Sequence, residues 1–480
     1  MKKNKKITLN ILFAFLLQIT NILFPLFTIP YVSHTLGVNN LGKVDFSISL
    51  INWAIIFATC GITTYGIREV SKVRDNKNKL NKVFNELLLF KIISSIVITV
   101  VYLITVIIID KTRLELLLFI TQGLIIILNI FQFDWYFQAI ENYKFIAFRS
   151  LLFKVIAFLF MFVIVKESND YINYAIILII ANHFGNLINL KEICKNIKIT
   201  FKGINIKRHI PKLKIFFISS LIISMYNIFD TIILGFIKND YDVALFTRAR
   251  VFLNVAMVAA LSLSNAIMPR LNNYVETNKE KYISFLNFSV NLIYILTIPM
   301  MVGSILISKE MMLLFGGEDY LKATIPFIII SPLIIIVPLS TWIYQQIIVA
   351  NNLENKFLKH QVIMAIISLI LNIILDLKYG YVGTAITYLI VETYGFVSSL
   401  IVCKNKRLVN YFSKSLIKYI ISVLIMSFCI LIFKSSNLSW INVIKTIIIG
   451  VISYLISLFI LKEDIIIYFI NQIKFKFGSK

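Results

Sequence analysis

The dominant pattern in the sequence is a succession of continuously apolar runs, each about 20 residues long, separated by short polar segments. A run of this length is what an α-helix needs to cross roughly 30 Å of hydrocarbon. Strands of a membrane barrel would instead alternate apolar and polar residues in pieces of about ten. The pattern therefore predicts an all-α integral membrane protein with about 14 transmembrane helices. The predicted spans are 9–32, 44–66, 85–109, 114–137, 146–166, 169–190, 213–237, 243–268, 283–307, 321–349, 358–378, 381–402, 415–434 and 438–461.

Charge is concentrated in the polar segments between these runs. The 480 residues carry a net charge of +24, yet 59% of them are hydrophobic, only 15% are charged, and the mean hydropathy is +0.85. Soluble domains are far less apolar, so we expect no nucleic-acid partner. If the amino terminus is cytoplasmic, the inner segments hold 34 lysines and arginines and the outer turns hold 9. This bias predicts a multi-pass membrane protein with both termini in the cytoplasm.

The polar segments also indicate how the chain is organised. The amino-terminal "MKKNKK" precedes an apolar run that is too long for a signal peptide and lacks a small-residue cleavage site, so we expect a retained first span. Only two inner connections are substantial, 67–83 and 191–214, and the second lies near the middle of the chain. We therefore expect a bundle of about six spans in 1–212, another of about six in 213–402, and two additional spans with a cytoplasmic tail in 403–480.

A weak internal similarity agrees with two halves. "TLGVNNLGKVDFS" after the first span resembles "ILGFIKNDYDVALFTRA" after the seventh. Both have Leu-Gly at a helix end, a short polar turn, then a small residue and an aromatic one. Repeated halves with a substrate path between them are typical of transporters.

The stretch "LGVNNLGKVD" has the glycine spacing of a phosphate-binding P-loop, but Val44 stands where that motif needs Ser or Thr. No buried strand precedes it, and the charge bias places it outside the cell, where there is no ATP. We interpret it as a hairpin turn in which Gly37 and Gly42 let the chain reverse. Lys43 then lies at the outer mouth, as a minor candidate for meeting an emerging phosphate.

Cysteines and histidines give no indication of a metal site or a disulfide framework. They show neither paired spacing nor ligand motifs, so we expect no metal, no cofactor and no catalytic residue. The positions are Cys60, Cys194, Cys403 and Cys429, with His34, His183, His209 and His360.

Charged residues at depth in the spans are the informative ones, because each is expensive to place in hydrocarbon. Asp230 and Asn227 share a face of the seventh span. Arg248 and Arg250 lie five and seven residues into the eighth span, about 200° apart around a helix. In one interpretation, one arginine pairs with Asp230 and the other reaches the headgroups. In the other, at least one arginine lines a water-filled cavity and binds an anionic substrate.

A second polar cluster lies near the inner ends of the fourth and fifth spans. Trp135 and Tyr136 are typical of an interfacial aromatic belt, and Arg149 of a positive-inside anchor. Lys154 lies deeper, where it either pairs with Asp134 or faces a cavity. The first span adds a polar face and two bending prolines. The remaining members of these groups are Gln138, Glu141, Gln18, Asn21, Pro25 and Pro30.

With these residues in view, the chain resembles the polysaccharide repeat-unit (O-antigen and capsule, Wzx-type) flippases of the multidrug/oligosaccharidyl-lipid/polysaccharide exporter superfamily. The similarity covers nearly the whole chain, and the order and spacing of its motifs are specific to that family. The motifs are "LLQITNILFPLFTIPYVSHTLGVNNLGKVDFS", "YGIREVSKVRDN", "DWYFQAIENYKFIAFRS", "FDTIILG", "LFTRAR" with "IMPRL", and "ILNIILDLKYGYVGTAITYLIVE".

The resemblance implies two pseudo-symmetric helical bundles, as in MATE transporters, around a central cavity that alternates between the membrane faces. The implied cargo is an oligosaccharide on undecaprenyl pyrophosphate, with the polymerase and other polysaccharide-assembly proteins as further partners. Arg149, Lys154 and Arg250 match the family's cationic cavity, whereas Arg248 stands where the family is usually not basic. The cytoplasmic gate candidates are Asp134, Gln138, Glu141 and Arg68, the last matching a recurrent arginine after the second span. Val243-Ala244-Leu245-Phe246 replaces the family's commoner Gly-x-Tyr.

Three other functions agree less well with the sequence. A multidrug antiporter of the same superfamily should present carboxylates to bind cations, whereas the buried excess here is basic. A membrane-embedded polysaccharide polymerase or glycosyltransferase should show a large outer loop or carboxylates at a span end, and a scaffold or receptor needs no charge at depth. The sequence therefore predicts a transporter and not an enzyme. Coupling to protons or sodium through Asp230 or Glu392 and driving by the membrane potential both stay open.

Overall fold

The computed structural model describes residues 2–404, 409, 411, 413–435 and 437–468, and the regular structure in those ranges is helical. It divides into two compact units, Met1–Ala244 and Leu245–Lys480. Each unit has its own buried apolar cluster. The prediction of an all-helical membrane protein is confirmed. The finer division at 212 and 402 stays a prediction.

The first unit contains eleven complete α-helices and the beginning of a twelfth, within the described residues. Short 3₁₀ turns at Ser168–Asp170 and Ile206–Arg208 and a π-helical turn at Ile180–Phe184 lie between them. The helices are α1 (Lys2–Thr59), α2 (Ile62–Val73), α3 (Lys77–Ile108), α4 (Asp110–Leu114), α5 (Leu116–Ile130), α6 (Asp134–Ala139), α7 (Tyr143–Ile164), α8 (Tyr171–Ile179), α9 (Asn186–Asn196), α10 (Ile210–Asn227), α11 (Phe229–Ile237) and α12 (Asp240–Thr277).

The second unit contains most of α12 and eight further helices among the residues described. It also has 3₁₀ turns at Glu318–Ala323 and Val349–Asn351 and a π-helical turn at Tyr344–Ile348. The helices are α13 (Lys279–Leu306), α14 (Ser308–Gly316), α15 (Thr324–Ile330), α16 (Leu333–Ile343), α17 (Glu354–Tyr379), α18 (Tyr381–Cys403), α19 (Lys414–Phe433) and α20 (Trp440–Ile460).

All of the predicted spans lie on helices. Eleven helices in the described part of the chain are long and apolar enough to cross a membrane, or up to 12 if the bent pair α10 and α11 is one span. The stretch Leu16–Val73 is counted once but holds most of the first predicted span and all of the second, and α12 covers 243–268. Several predicted spans are interrupted by non-helical residues, and the tenth is divided between α15 and α16 at Ser331 and Pro332.

Local chemistry sets many of the helix boundaries. Asn76, Asn142 and Asn278 precede α3, α7 and α13, and each side-chain oxygen accepts a hydrogen bond from a backbone N–H in the first turn. This contact satisfies one of the N–H groups that a helix start leaves without a partner. Side chains on the outer faces are largely apolar and exposed, for example Leu424 and Phe428 on α19, as expected for helices solvated by lipid.

The "LGVNNLGKVD" segment differs in part from the predicted hairpin. Within α1 the backbone leaves helical geometry at Gly37, where φ is 72° and ψ is 172°. That left-handed φ favours glycine. Gly42, Asn39 and Asn40 are instead helical, so Gly42 does not make the reversal. A Cβ at Gly42 would lie 1.8 Å from the carbonyl oxygen of Asp240, and the close approach of two backbones is what requires glycine there.

Candidate functional site

Arg149, on α7, is held by two partners inside the first unit. Its side chain is 8% exposed, and one guanidinium nitrogen lies 2.8 Å from a carboxylate oxygen of Asp134, at the start of α6. The other guanidinium nitrogen donates to the side-chain oxygen of Asn189 on α9. A guanidinium whose N–H groups are used in this way has fewer donors left for a phosphate. These contacts favour the structural interpretation of Arg149.

Lys91, on α3, is a further buried cation of the same region. Its ammonium group donates to the carbonyl of Gln132 at 2.9 Å, and its side chain is 1% exposed. The backbone is not helical between α5 and α6, so the carbonyls of this break need other donors. Lys91 donates to the carbonyl of Gln132, and Asn189 donates to the carbonyl of Phe131 at 2.8 Å. These polar side chains therefore stabilise a helix break.

Lys154, about a turn and a half beyond Arg149 on α7, has a different partner. It is 5% exposed and donates to the side-chain oxygen of Asn21 on α1. Gln18, on the same helix, is exposed. An amide oxygen accepts a hydrogen bond from an ammonium group without neutralising its charge. The structure thus joins Lys154 to the polar face predicted for the first span, and not to Asp134.

The predicted gate residues are distributed over two environments. Glu141 lies 2.7 Å from Arg74, and this pair is largely exposed. The hydrogen bond to Glu141 raises the pKa of the Arg74 guanidinium, which keeps it charged at any accessible pH. Arg68 is exposed and Gln138 is half-buried. Asp134 belongs with Arg149, so the four gate candidates do not form one cluster.

Trp135 and Tyr136 are buried, each with 2% exposure. Trp135 stacks on Phe84 with ring centres 5.5 Å apart, and Tyr136 meets the same ring edge-on at 5.3 Å. Both belong to the apolar cluster of the first unit. The interpretation of these two residues as an interfacial belt is therefore wrong. They pack the core that positions Asp134.

Arg250, on α12 in the second unit, stacks on aromatic rings. The guanidinium carbon lies 5.2 Å from the ring centre of Tyr388 on α18 and 5.8 Å from that of Phe246, one turn earlier on α12. The two rings meet edge-on, with centres 6.4 Å apart. A cation at this distance from a ring centre is attracted by the ring's quadrupole. The two rings therefore help to position the guanidinium of Arg250.

The remaining intramembrane candidates are mostly buried. Arg248 is 5% exposed, Asp230 is 2% exposed, and Glu392, one turn after Tyr388 on α18, is 9% exposed. The carboxylate of Asp230 accepts hydrogen bonds from the backbone N–H and the hydroxyl of Thr231, at 2.6 and 3.1 Å. Asn227 is half-buried at the end of α10. Asp230 and Glu392 are therefore buried carboxylates on α11 and α18, and their part in ion coupling stays a prediction.

A group of contacts that the sequence pattern did not indicate lies within the first unit, where the two similar hairpin segments meet. Lys111 forms an ion pair with Asp240 at 3.0 Å, donates to the carbonyl of Gly235, and lies 4.6 Å from the ring centre of Phe46. Gly42 packs on the backbone of Asp240 at the same place. We call Gly42, Phe46, Lys111, Gly235 and Asp240 the outer cluster, because the charge bias predicts these turns outside the cell.

Lys43, in the same hairpin, is not available to an emerging phosphate. Its ammonium group lies 2.6 Å from a carboxylate oxygen of Glu115, and the hydroxyl of Tyr171 donates to the same carboxylate at 2.7 Å. The nitrogen of Lys43 also lies 5.0 Å from the ring centre of Tyr171. These contacts connect the first outer turn to residues that directly follow the second and third predicted outer turns, Glu115 and Tyr171.

Sequence reasoning did not single out Asn189, Lys91, Lys111 or Tyr388. For Tyr388 a signal was available, because Tyr388 and Glu392 are one helical turn apart in "YLIVE". For the others the partner lies in another helix, and linear spacing carries no such information. In the described ranges, no three His, Cys, Asp or Glu side chains lie close enough together to hold a metal ion.

Comparison with known sequences finds one family model and two similar proteins. The family model described as "Polysaccharide biosynthesis protein" matches residues 7–275. A protein of Escherichia coli (strain K12) named "Putative O-antigen transporter" is 26% identical over 410 residues, which are 83% of this chain and 97% of the relative. A Shigella dysenteriae protein of the same name is 23% identical over 390 residues, 80% of this chain and 96% of its own.

Two solved structures superpose on most of this chain. The lipid II flippase MurJ in an inward closed conformation superposes with a TM-score of 0.77 at 18% identity, over 95% of this chain and 100% of that one. A multidrug resistance MATE family transporter in an inward-facing conformation gives 0.60 at 14% identity, over 80% and 96%. At these identities the likeness shows the fold, which is the predicted MATE-like one.

Proposed function

Because the chain belongs to the polysaccharide biosynthesis protein family, we propose that it is a flippase for lipid-linked oligosaccharides in a bacterial membrane. The relatives' names and the fold support a transporter and not an enzyme. The cargo we propose is an oligosaccharide repeat unit on undecaprenyl pyrophosphate. It moves from the cytoplasmic to the outer leaflet for capsule, O-antigen or exopolysaccharide biosynthesis.

The observation that carries this proposal is the guanidinium of Arg250 on α12, beside the rings of Tyr388 and Phe246. A pyrophosphate presents oxygens that accept paired N–H donors, which the planar guanidinium supplies better than an ammonium group. Lys154 adds a second cation at depth, held only by an amide in the contacts described above. Arg149 has a lesser role in this proposal, because its N–H groups already donate to Asp134 and Asn189. Arg248 has a lesser role because it stands where the resemblance does not predict a basic residue.

Solvation divides the cargo into three parts. A sugar chain cannot cross about 30 Å of hydrocarbon without losing its hydrogen bonds to water. A polyprenyl chain never has to leave the hydrocarbon. We therefore propose that the glycan occupies a wet interior with Gln18, Asn21 and Asn227 among its polar contacts, while the prenyl tail stays in lipid.

Release on the outer side requires an opening there, and the proposed mechanism is alternating access. We propose that the outer cluster closes the outer side and that its contacts must separate for release. The reason is that Lys111 and Asp240 join outer turns that belong to different predicted bundles. On the cytoplasmic side, we propose that Asp134, Gln138, Glu141 and Arg68 form the gate. The ion pair of the outer cluster is partly exposed, which lets water compete for it.

Net movement also needs a driving force. A membrane potential that is negative inside favours outward movement of an anion by about 2.3 kcal/mol per charge per 100 mV. Asp230 and Glu392 are the carboxylates we propose for proton or sodium coupling, because both are buried in membrane helices. The same proposal includes cytoplasmic termini and a location in the plasma membrane. It also includes helical bundles at 1–212 and 213–402 with two further spans, and a polymerase among the partners.

The test is flipping of an undecaprenyl-pyrophosphate-linked oligosaccharide in proteoliposomes. Arg250→Ala and Lys154→Ala should each slow flipping roughly 10- to 100-fold, because a hydrogen bond to a charged group contributes about 1.5–3 kcal/mol. Arg113→Ala and Lys195→Ala are matched controls, since both cations are exposed and pair with a carboxylate three residues away. The controls should leave the rate within twofold.

Two outcomes would contradict the proposal. Unchanged flipping in both Arg250→Ala and Lys154→Ala would remove the cationic site. Efflux of an organic cation by the wild-type protein, without flipping of the glycolipid, would favour the multidrug antiporter instead.

A further inference from the structure

The two substantial inner connections, 67–83 and 191–214, are both basic, but only one of them exposes large apolar side chains. In 67–83, all of which the structure describes, every large apolar side chain is buried or half-buried. In the second connection, Ile199, Phe201 and Ile210 are 41%, 49% and 46% exposed. None of these three lies in a predicted span, so their exposure does not belong to the lipid-facing side of a membrane helix.

Contacts with α3 fix the level of this second connection. Asn85 donates to the carbonyl of Lys198 at 2.8 Å and accepts from the backbone N–H of Thr200 at 3.3 Å. Glu86, the next residue of α3, accepts from the backbone N–H of Asn205 at 3.1 Å. The third predicted span begins at Asn85, so the connection lies level with the inner end of a membrane helix. The layer of polar headgroups extends over that level.

Between these attachments the chain makes an exposed turn at Lys202 and Gly203. The φ of Gly203 is 70°, and a Cβ at this residue would have no other atom within 4 Å. The tip of the turn therefore faces open space, with Phe201 beside it. Both sides of the turn are attached to buried side chains of one helix, Asn85 and Glu86, which fixes its position relative to α3.

The same segment is strongly basic. From residue 197 to residue 214 the chain carries six lysines and arginines and no acidic residue. Arg208 and Lys212 each lie beside a carboxylate. Three further cations are exposed, and none of them is in an ion pair with a residue that the structure describes. They are Lys198, Lys202 and Lys207.

We propose that this turn binds anionic phospholipids at the inner membrane surface. Lys198, Lys202 and Lys207 contact the phosphates, while Ile199 and Phe201 enter the boundary between headgroups and acyl chains. Basic residues beside exposed apolar ones are typical of segments that lie on an anionic membrane surface. The bound lipid holds the connection between two predicted bundles at that surface. This role is separate from the proposed transport site and does not depend on the cargo.

The test is the depth of a nitroxide label at position 200, measured by power-saturation EPR in nanodiscs that contain no cargo. The label is attached to Thr200→Cys in a chain whose four native cysteines are replaced by serine. Asn78→Cys, an exposed position in the other connection, is the matched control. With about 30% phosphatidylglycerol in phosphatidylcholine, collisions with a water-soluble nickel complex should be roughly three- to tenfold fewer at position 200 than at position 78.

Further variants separate the charge from the apolar contact. Replacing the three exposed lysines by glutamine should bring collisions at position 200 close to their level in phosphatidylcholine alone, because the attraction to anionic headgroups is lost. Phe201→Ser should increase collisions in both lipids, because apolar contact does not depend on headgroup charge. The lysine set is Lys198→Gln, Lys202→Gln and Lys207→Gln, and its matched control in the other connection is Lys77→Gln, Lys79→Gln and Lys82→Gln.

The control set should leave collisions at position 200 unchanged. Equal collisions at positions 200 and 78 in the anionic nanodiscs would overturn the proposal. A depth at position 200 that is the same with and without phosphatidylglycerol, or that does not change in the lysine set, would also overturn it. These results would not bear on the proposed function, since the cargo is absent and flipping is not measured.

Discussion

Arg149 in the first unit and Arg250 in the second are the same residue type at depth in a membrane helix, but their contacts differ. Arg149 is held by its N–H donors, through Asp134 and Asn189. Arg250 has two aromatic rings near its guanidinium, those of Tyr388 and Phe246. A carboxylate compensates a positive charge directly, whereas an aromatic ring attracts it more weakly through its quadrupole. Burial of an arginine in a membrane protein therefore does not by itself indicate a binding site, and the chemistry of the contacting groups is the better criterion.

The neighbours of each arginine agree with that difference. Asp134 begins a short helix whose next residue, Trp135, is in the buried core, so the Arg149 pair belongs to the packing of the first unit. Arg250 is half-buried, which leaves part of its surface to a ligand. We expect substitutions near Arg149 to change stability and substitutions near Arg250 to change transport.

The largest expected effect is a loss of stability when the ion pair between Asp134 and Arg149 is removed. Asp134→Ala leaves a buried guanidinium without its counter-ion, and we expect the free energy of unfolding to fall by about 3 kcal/mol. The measurement is thermal unfolding in detergent followed by tryptophan fluorescence, because Trp135 is adjacent. Asp110→Ala is the control, since its pair with Arg113 is exposed. Equal, small shifts in both variants would show that Arg149 does not need Asp134.

A moderate effect is expected at the aromatic stack. Tyr388→Leu removes the ring under Arg250 and should slow glycolipid flipping roughly 3- to 10-fold, because a cation–π contact contributes about 0.5–2 kcal/mol. Tyr388→Phe keeps the ring and should restore the rate to within about twofold. If Phe and Leu slow flipping equally, the hydroxyl and not the stack is what Arg250 needs.

The smallest effect is expected for the exposed pair of Glu141 and Arg74. Glu141→Gln should leave the unfolding midpoint within replicate error, because solvent and salt screen such a pair. The raised pKa of Arg74 keeps the guanidinium charged throughout the accessible pH range, so protonation of this arginine should contribute no pH dependence to stability. Thermal unfolding in low and high salt checks both statements. A large loss of stability would place Glu141 in the packing of the first unit with Asp134.

Much of the fold could be predicted because the bilayer acts on each span separately. Every span needs its own run of apolar residues, and asparagine caps such as Asn76 and Asn278 act within four residues. The break at Pro332 was missed because the apolar run continues through it. The contact that requires glycine at position 42 is with the backbone of Asp240, which is far away in the chain. Linear spacing does not reveal such a contact, and Gly42 was therefore assigned to a turn.

The sequence by itself determined an all-helical membrane protein, its candidate cations and, through its motifs, its family, because hydropathy, charge bias and motif order are written along the chain. Only the tertiary structure decided which groups contact each cation. Arg149 meets Asn189 across 40 positions and Lys154 meets Asn21 across 133. Electrostatic energy depends on distance in space, so a charge at a given position in the chain becomes an anchor or a ligand site only when the helices have packed.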